Sequence, residues 1–213
     1  MRVGVLGTGQ VGKALARGFA SRGHEVTIGS RDADKARAAA ADVAEDVEGG
    51  SFADAATFAD LAVLATLWSG TESALQMAGA ENLAGKVVID ATNPLVFSEG
   101  GPPGLALGHT DSGGEQVQRW LPGARVVKAF NIVGNPYMVD PDLPGGPPDM
   151  FIAGDDAEAK ATVTEILESF GWPSAIDIGG IDGARLLEPM AIAWVRVGVV
   201  AGSWDHAFKL LRK

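Results

Sequence analysis

Short apolar runs alternate along the chain with stretches of helical period. Residues 2–6 and 25–29 are apolar enough for strands. Between them, over residues 10–22, Val11, Leu15 and Phe19 recur every four positions and mark one buried helix face. A second helix is expected from about Asp32, capped by Asp32 or Ser30. Residues 52–58 read as a short helix. Residues 61–66 and 86–90 are continuous apolar strands of the kind parallel sheets bury, with a helix over 70–77 between them. Strands follow at 125–129 and 150–153, a helix at 157–170, and a last strand at 173–178. From residue 182 to 211 the pattern is mostly helical, with Pro189, Gly198 and Gly202 as points of interruption. Such alternation predicts an α/β fold, a parallel sheet with helices on both faces. Residues 1–180 form the main domain, and 181–213 are a small C-terminal helical extension of the same compact unit. Two stretches rich in Gly and Pro, 93–114 and 134–148, read as long loops. Both follow strand C-terminal ends, where open α/β sheets bind their ligands.

The first strand runs straight into Gly7-Thr8-Gly9-Gln10-Val11-Gly12, which fits G-x-G-x-x-G. In such a turn the first Gly makes the bend, the second lets the backbone approach a pyrophosphate, and the third lets the helix pack on the strand. The helix N-terminus then offers free N–H groups to the phosphates. The motif alone is weak evidence, but here it sits between an apolar strand and an amphipathic helix, with a second strand following. At the end of that second strand an NAD site would place an acidic residue to receive the ribose 2′-hydroxyl. This chain has Ser30 and Arg31 there, with Lys35 one helical turn on. A hydroxyl and a guanidinium suit a 2′-phosphate, so NADP(H) is expected rather than NAD(H). Asp32 lies past the strand end, as a helix cap would.

Composition narrows the classes. The 213 residues carry a net charge of −10, which argues against a nucleic-acid partner. There is no cysteine, so disulfides, thiolate nucleophiles and iron–sulfur clusters are excluded. His24, His109 and His206 are scattered, and no metal site is expected. No run reaches the roughly 18 apolar residues of a membrane span, and no signal peptide is read at the start, so a cytoplasmic location is expected.

Four segments together carry a family resemblance: "GTGQVGKALARGFASRGHEVTIGSRD", "VIDATNPL", "VVKAFNIVGNPYM" and "MFIAGDDAEAKATVTEIL". They resemble the NADP oxidoreductases that use the deazaflavin coenzyme F420, and the related reductase domain of the transmembrane ferric reductases. The resemblance covers nearly the whole chain. It implies a Rossmann domain with a small helical C-terminal part, usually dimeric, so a homodimer is expected. It implies NADP held by Thr8 to Val11, Ser30, Arg31 and Lys35. It also implies that Thr66, Leu67, Trp68, Asn93, Pro94, Ala129, Phe130, Asn131 and Ile132 line the nicotinamide site. The chain departs from the deazaflavin enzymes in two places: Asn131 stands where they carry histidine, and the loop over 98–112 is longer. Asn131 is closer to the ferric-reductase pattern.

No side chain stands out as a catalytic acid or base. Hydride exchange between a nicotinamide and a flavin-type ring does not require one, because the cofactors carry the chemistry and the protein supplies position and electrostatics. Only about 30 residues follow Gly180, too few for a large substrate domain. The second substrate, coenzyme F420 or a flavin, is therefore expected on the cleft rim under the two loops, or at a dimer contact. Lys128 is a cation at a strand end near that place and a candidate to orient a ligand group. Trp68 is a candidate to stack on a ring, or else a partly buried hydrophobe. Two other readings stay open: an NADPH-dependent reductase of a small carbonyl or imine, and a non-catalytic NADP-binding protein.

Overall fold

The computed structural model describes residues 1–98 and 100–211. The chain opens with β1 (Arg2–Leu6), α1 (Gln10–Ser21), β2 (Glu25–Ser30) and α2 (Ala33–Ala41). Next come β3 (Glu48–Ser51), α3 (Phe52–Phe58), β4 (Leu61–Leu64), α4 (Trp68–Ala78), the single turn α5 (Ala80–Leu83) and β5 (Val87–Asp90). A small antiparallel ribbon, β6 (Leu95–Val96) with β7 (Gly104–Leu105), leads to α6 (Gly113–Trp120) and β8 (Arg125–Lys128). The last elements are β9 (Met150–Gly154), α7 (Ala157–Ser169), β10 (Ala175–Asp177) and α8 (Ala184–Ala201).

The main sheet has eight strands in the order β10-β9-β8-β5-β4-β1-β2-β3. Six of them, from β8 to β3, are mutually parallel. Side-chain alternation builds a core on each face. Leu61 and Val63 of β4, with Val87 and Ile89 of β5, join α1, α2 and α7 in one core. Ala62, Leu64 and Val88 point the other way and join α3, α4, α5 and α6 in the second. The first core centres on Phe19, Phe130 and Phe170, all fully buried, with Phe19 and Phe170 edge to face at 4.9 Å. α8 adds Leu187 to this core.

The structure departs from the expected elements in several places. The sheet is not parallel throughout: β9 runs antiparallel to β8 and shares only two residue pairs with it, Val127 with Gly154 and Lys128 with Ala153. Met150 to Ile152 therefore continue beyond the C-terminal end of β8, and β10 pairs there alongside them. Pro189 and Gly198 do not interrupt α8, which ends at Gly202 in the left-handed conformation. The chain after Gly202 is not helical, so His206 lies outside the last helix. Residues 203–211 instead run back over the core as a strap. The Trp194 indole donates to the His206 carbonyl at 2.9 Å, Asp149 N donates to the Phe208 carbonyl at 2.9 Å, and Leu210 N donates to Asp149 at 2.7 Å. Residues 93–114 also hold more structure than a loop, namely the β6–β7 ribbon and the start of α6.

Candidate functional site

The glycine turn bends at Gly7, whose φ of 132° lies in a region that side chains avoid. A Cβ there would sit 2.3 Å from the Ala65 carbonyl oxygen, and a Cβ on Gly12 would sit 2.2 Å from the Gly7 carbonyl oxygen. The fold itself therefore demands both glycines. Gly9 differs, since its Cβ would meet nothing within 4 Å. The fold leaves that space open, which suits a backbone approached by a pyrophosphate. Gly9 is also the N-cap of α1 and gives it no side-chain cap, so the first-turn N–H groups have no capping side chain among the described residues. Thr8, Gln10 and Val11 stand around this opening, none fully buried.

At the end of β2, Asp32 acts as the cap of α2, accepting from Asp34 N at 3.0 Å and Lys35 N at 3.2 Å. Its carboxylate is thereby occupied with the helix. Ser30 Oγ accepts from Asp32 N at 3.3 Å. Arg31 and Lys35 are both exposed, and neither forms an ion pair among the described residues. Two unspent cations beside a serine hydroxyl are the donor set a 2′-phosphate calls for.

The end of β4 continues into Thr66, whose hydroxyl shares a hydrogen bond of 2.9 Å with Thr71. Leu67 is 77% exposed beside the opening. Trp68 is half-buried and stacks on Trp120 at 5.5 Å, so its indole is committed to packing between α4 and α6. Beyond β5 and β8, Asn93 and Asn131 form a reciprocal pair. Asn93 Nδ2 donates to the Asn131 carbonyl at 2.8 Å, and Asn131 Nδ2 donates to Asn93 Oδ1 at 2.9 Å and to the Leu187 carbonyl at 3.1 Å. Asn131 Oδ1 is buried without a partner among the described residues. A buried acceptor in that state is a place where a bound donor would be welcome. Pro94 is buried next to this pair. Ala129, Phe130 and Ile132 are buried as well, with Phe130 6.0 Å from Phe170, so they shape the site through backbone and packing. Phe130 adopts φ 62°, left-handed for a bulky side chain. Such a residue stores about 1–3 kcal/mol of strain, and such residues cluster at functional sites.

Lys128 is not available to orient a ligand. Its side chain is fully enclosed, 2.7 Å from Asp90, 2.9 Å from Glu188 and 2.8 Å from the Thr92 carbonyl. The strand's alternation points it into protein, and its three N–H donors are all used. Burial lowers the ammonium's pKa, the two carboxylates raise it, and the net direction is upward, so Lys128 stays charged.

The sequence pattern did not single out Glu188, buried in α8, or the N-terminus of α6. Gly113 N and Gly114 N donate to Glu188 at 2.9 and 3.0 Å. A signal for α6 was present: Ser112 and Glu115 have capping-box spacing, and Ser112 Oγ accepts from Glu115 N at 3.2 Å. Against the start of α8 lies a cleft of about 780 Å³, lined by Leu105 to His109 of the first long loop and by Ile178, Asp182, Gly183, Arg185, Leu186 and Pro189. Ala106 N donates to the Pro94 carbonyl at 2.7 Å, so the cleft's loop wall adjoins the asparagine pair. Arg185 is paired with Glu115. Among the described residues no group of three or more His, Asp or Glu could hold a metal ion, and no helix is long and apolar enough to cross a membrane.

The model of the family described as NADP oxidoreductase, coenzyme F420-dependent, matches residues 2–94. The F420-dependent NADP reductase of Methanothermobacter marburgensis is 35% identical over 210 residues, covering 93% of each chain. The chain belongs to the F420-dependent NADP oxidoreductase family. A crystal structure from Arthrobacter sp. FB24, assigned as an F420-dependent NADP-reductase, is similar to this family member over 99% of each chain, with 42% identity and a TM-score of 0.93. The metalloreductase STEAP3 of Rattus norvegicus is 27% identical over 191 residues, which cover 90% of this family member but 36% of that protein.

The glycine geometry generates a paired prediction. Gly9→Val abolishes NADPH binding in a fluorescence titration while the melting temperature changes little. Gly12→Val lowers the melting temperature sharply, because its side chain must displace backbone. Loss of stability in both variants would show that the turn is built for packing alone.

Proposed function

We propose that this chain exchanges a hydride between NADP(H) and a deazaflavin of the F420 type. The observation that carries the reading is the opening at Gly9 with the unspent Arg31 and Lys35 behind it, in a chain that aligns over 93% of its length with an F420-dependent relative. NADPH supplies two electrons and a hydrogen as hydride from its nicotinamide, and the deazaflavin accepts these on carbon with a solvent proton on nitrogen. The chain's own residues bind and orient. Residues 7–12 hold the pyrophosphate against the α1 N-terminus. Ser30, Arg31 and Lys35 hold the 2′-phosphate. Thr66, Leu67, Asn93, Pro94 and the backbone of residues 129–132 form the nicotinamide site. The second ring enters from the cleft beside Leu105 to His109, which the protein walls with α8.

Assembly is part of the proposal. Leu186, Val197 and Val200 line one side of α8 and are 64%, 49% and 76% exposed. A helix with an apolar stripe of this kind seeks a partner surface. The partner proposed is a second copy of the chain, and because Leu186 also lines the cleft, the dimer would finish the wall of the second-substrate site.

Three outcomes follow. Under anaerobic conditions, with coenzyme F420, FMN, FAD and ferric chelates offered in parallel, NADPH oxidation is fastest with the deazaflavin; turnover with flavin or ferric chelate alone would overturn that choice. Arg31→Ala weakens NADPH binding by about 1.5–3 kcal/mol, roughly 10- to 150-fold, and leaves NADH binding nearly unchanged; equal losses for both would remove the 2′-phosphate assignment. Sedimentation gives twice the chain mass for the wild type and the single-chain mass for Val200→Asp, whereas a monomeric wild type would end the dimer proposal.

A further inference from the structure

A buried charged cluster is tied to the asparagine pair through the chain on either side of it. Lys128, Asp90 and Glu188 are 0%, 0% and 1% exposed, one ammonium between two carboxylates. Asp90 Oδ1 also accepts from Thr92 N at 2.9 Å and from the Thr92 hydroxyl at 2.7 Å. Glu188 accepts from the two leading N–H groups of α6, where the helix dipole favours a negative charge. The fit is close. A Cβ on Gly113 would come within 3.0 Å of Glu188 Oε1, and one on Gly114 within 2.7 Å of Ala184 Cβ. Only glycines let α8 bring its carboxylate this near.

We infer that Lys128, Asp90 and Glu188 are positioning residues that hold the Asn93–Asn131 pair, and through it the nicotinamide, in register for hydride transfer. The inference rests on the proposed reading that this pair faces the nicotinamide. Chain adjacency carries it. Lys128 grips the Thr92 carbonyl, and the next residue is Asn93. Glu188 follows Leu187, whose carbonyl accepts from Asn131. Lys128 itself precedes Asn131 by three residues, across the left-handed Phe130. Thus one ammonium fixes the backbone on both sides of the amide pair.

Stability alone is a weak account of such a cluster. Removing each charge from water costs several kcal/mol, and apolar side chains of the same volume often hold a fold as well or better. What ions and hydrogen bonds add is direction, and direction is what a transfer between two carbons needs. A misplacement near 1 Å can cost about 100-fold in rate.

Glu188→Gln keeps the side chain's shape and removes its charge. The expected result is a kcat lowered about 10- to 100-fold, with the NADPH dissociation constant within about threefold of wild type, because residues 7–12 and Arg31 hold the other end of the dinucleotide. A double-mutant cycle with Asn93→Ala separates positioning from general weakening. If the cluster acts through the pair, the double variant is no slower than Asn93→Ala alone. A kcat within twofold of wild type in folded E188Q, or losses that multiply in the double variant, would overturn the inference. Should E188Q fail to fold, Glu188→Asp, which keeps the charge and shortens its reach, enters the same cycle, and the same two results would overturn the inference. A wild type that oxidises no acceptor would count against the proposed function and not against the cluster. The fluorescence lifetime of bound NADPH then replaces kcat, with a changed lifetime in E188Q expected and an unchanged one overturning the inference.

Discussion

Around the Lys128 ammonium, four elements of the fold meet at one point. β8 supplies the cation, β5 supplies Asp90, α8 supplies Glu188, and the two leading N–H groups of α6 close the far side. Each partner is needed by the others. Without Lys128, two carboxylates would stay buried side by side; without Glu188, the α6 N-terminus would keep two buried N–H groups unpaired. Removing one member of a buried ionic set typically costs about 3–5 kcal/mol for this reason. The arrangement explains how a helix near the end of the chain comes to rest beside the strand ends of a sheet laid down much earlier.

The path of the chain makes that meeting possible. β9 enters antiparallel and overlaps β8 by only two pairs, so β9 and β10 project beyond the tops of the parallel strands. The chain leaves β10 at Asp177, already level with the ligand-binding side, and α8 starts there after a short turn at Ile181–Gly183. One wall of the cleft is thus made from residues 178–189, and the facing wall from residues 105–109. The Glu115–Arg185 pair bridges α6 and α8 at this level. A sheet that stayed parallel to its last strand would have delivered α8 differently, and the cleft would lack that wall.

Much of this was legible in the sequence, and the gaps have physical causes. The strands β1, β2, β4, β5 and β8 are apolar runs with few rivals and read correctly, and Asp32, one of the two caps expected for α2, does cap it. β3 did not, because Glu-Gly-Gly-Ser carries no apolar signal and exists only because it pairs with β2. α6 was hidden by its two opening glycines, which are poor helix formers but are required by the approach of Glu188. Strand direction leaves no trace in periodicity, so the reversal at β9 was invisible. The strap over 203–211 misled for the opposite reason: Trp204, Phe208 and Leu211 fall at helical spacing, yet packing on Gly198 and the core prevails. Lys128 was seen as a strand-end cation, but which side of the strand it took depended on register, and register placed it inside.

The two outer strands of the sheet have a consequence of their own. β3 has four residues and begins with Glu48, while β10 has three and ends with Asp177. Unpaired backbone at a sheet edge invites another chain to add on indefinitely, and brevity with charge at the margin discourages it. Both rims of this sheet are therefore poor templates for fibre-like growth. In the proposed dimer, self-recognition would fall instead to side chains on α8, where matching of shapes ends at a finite number of copies.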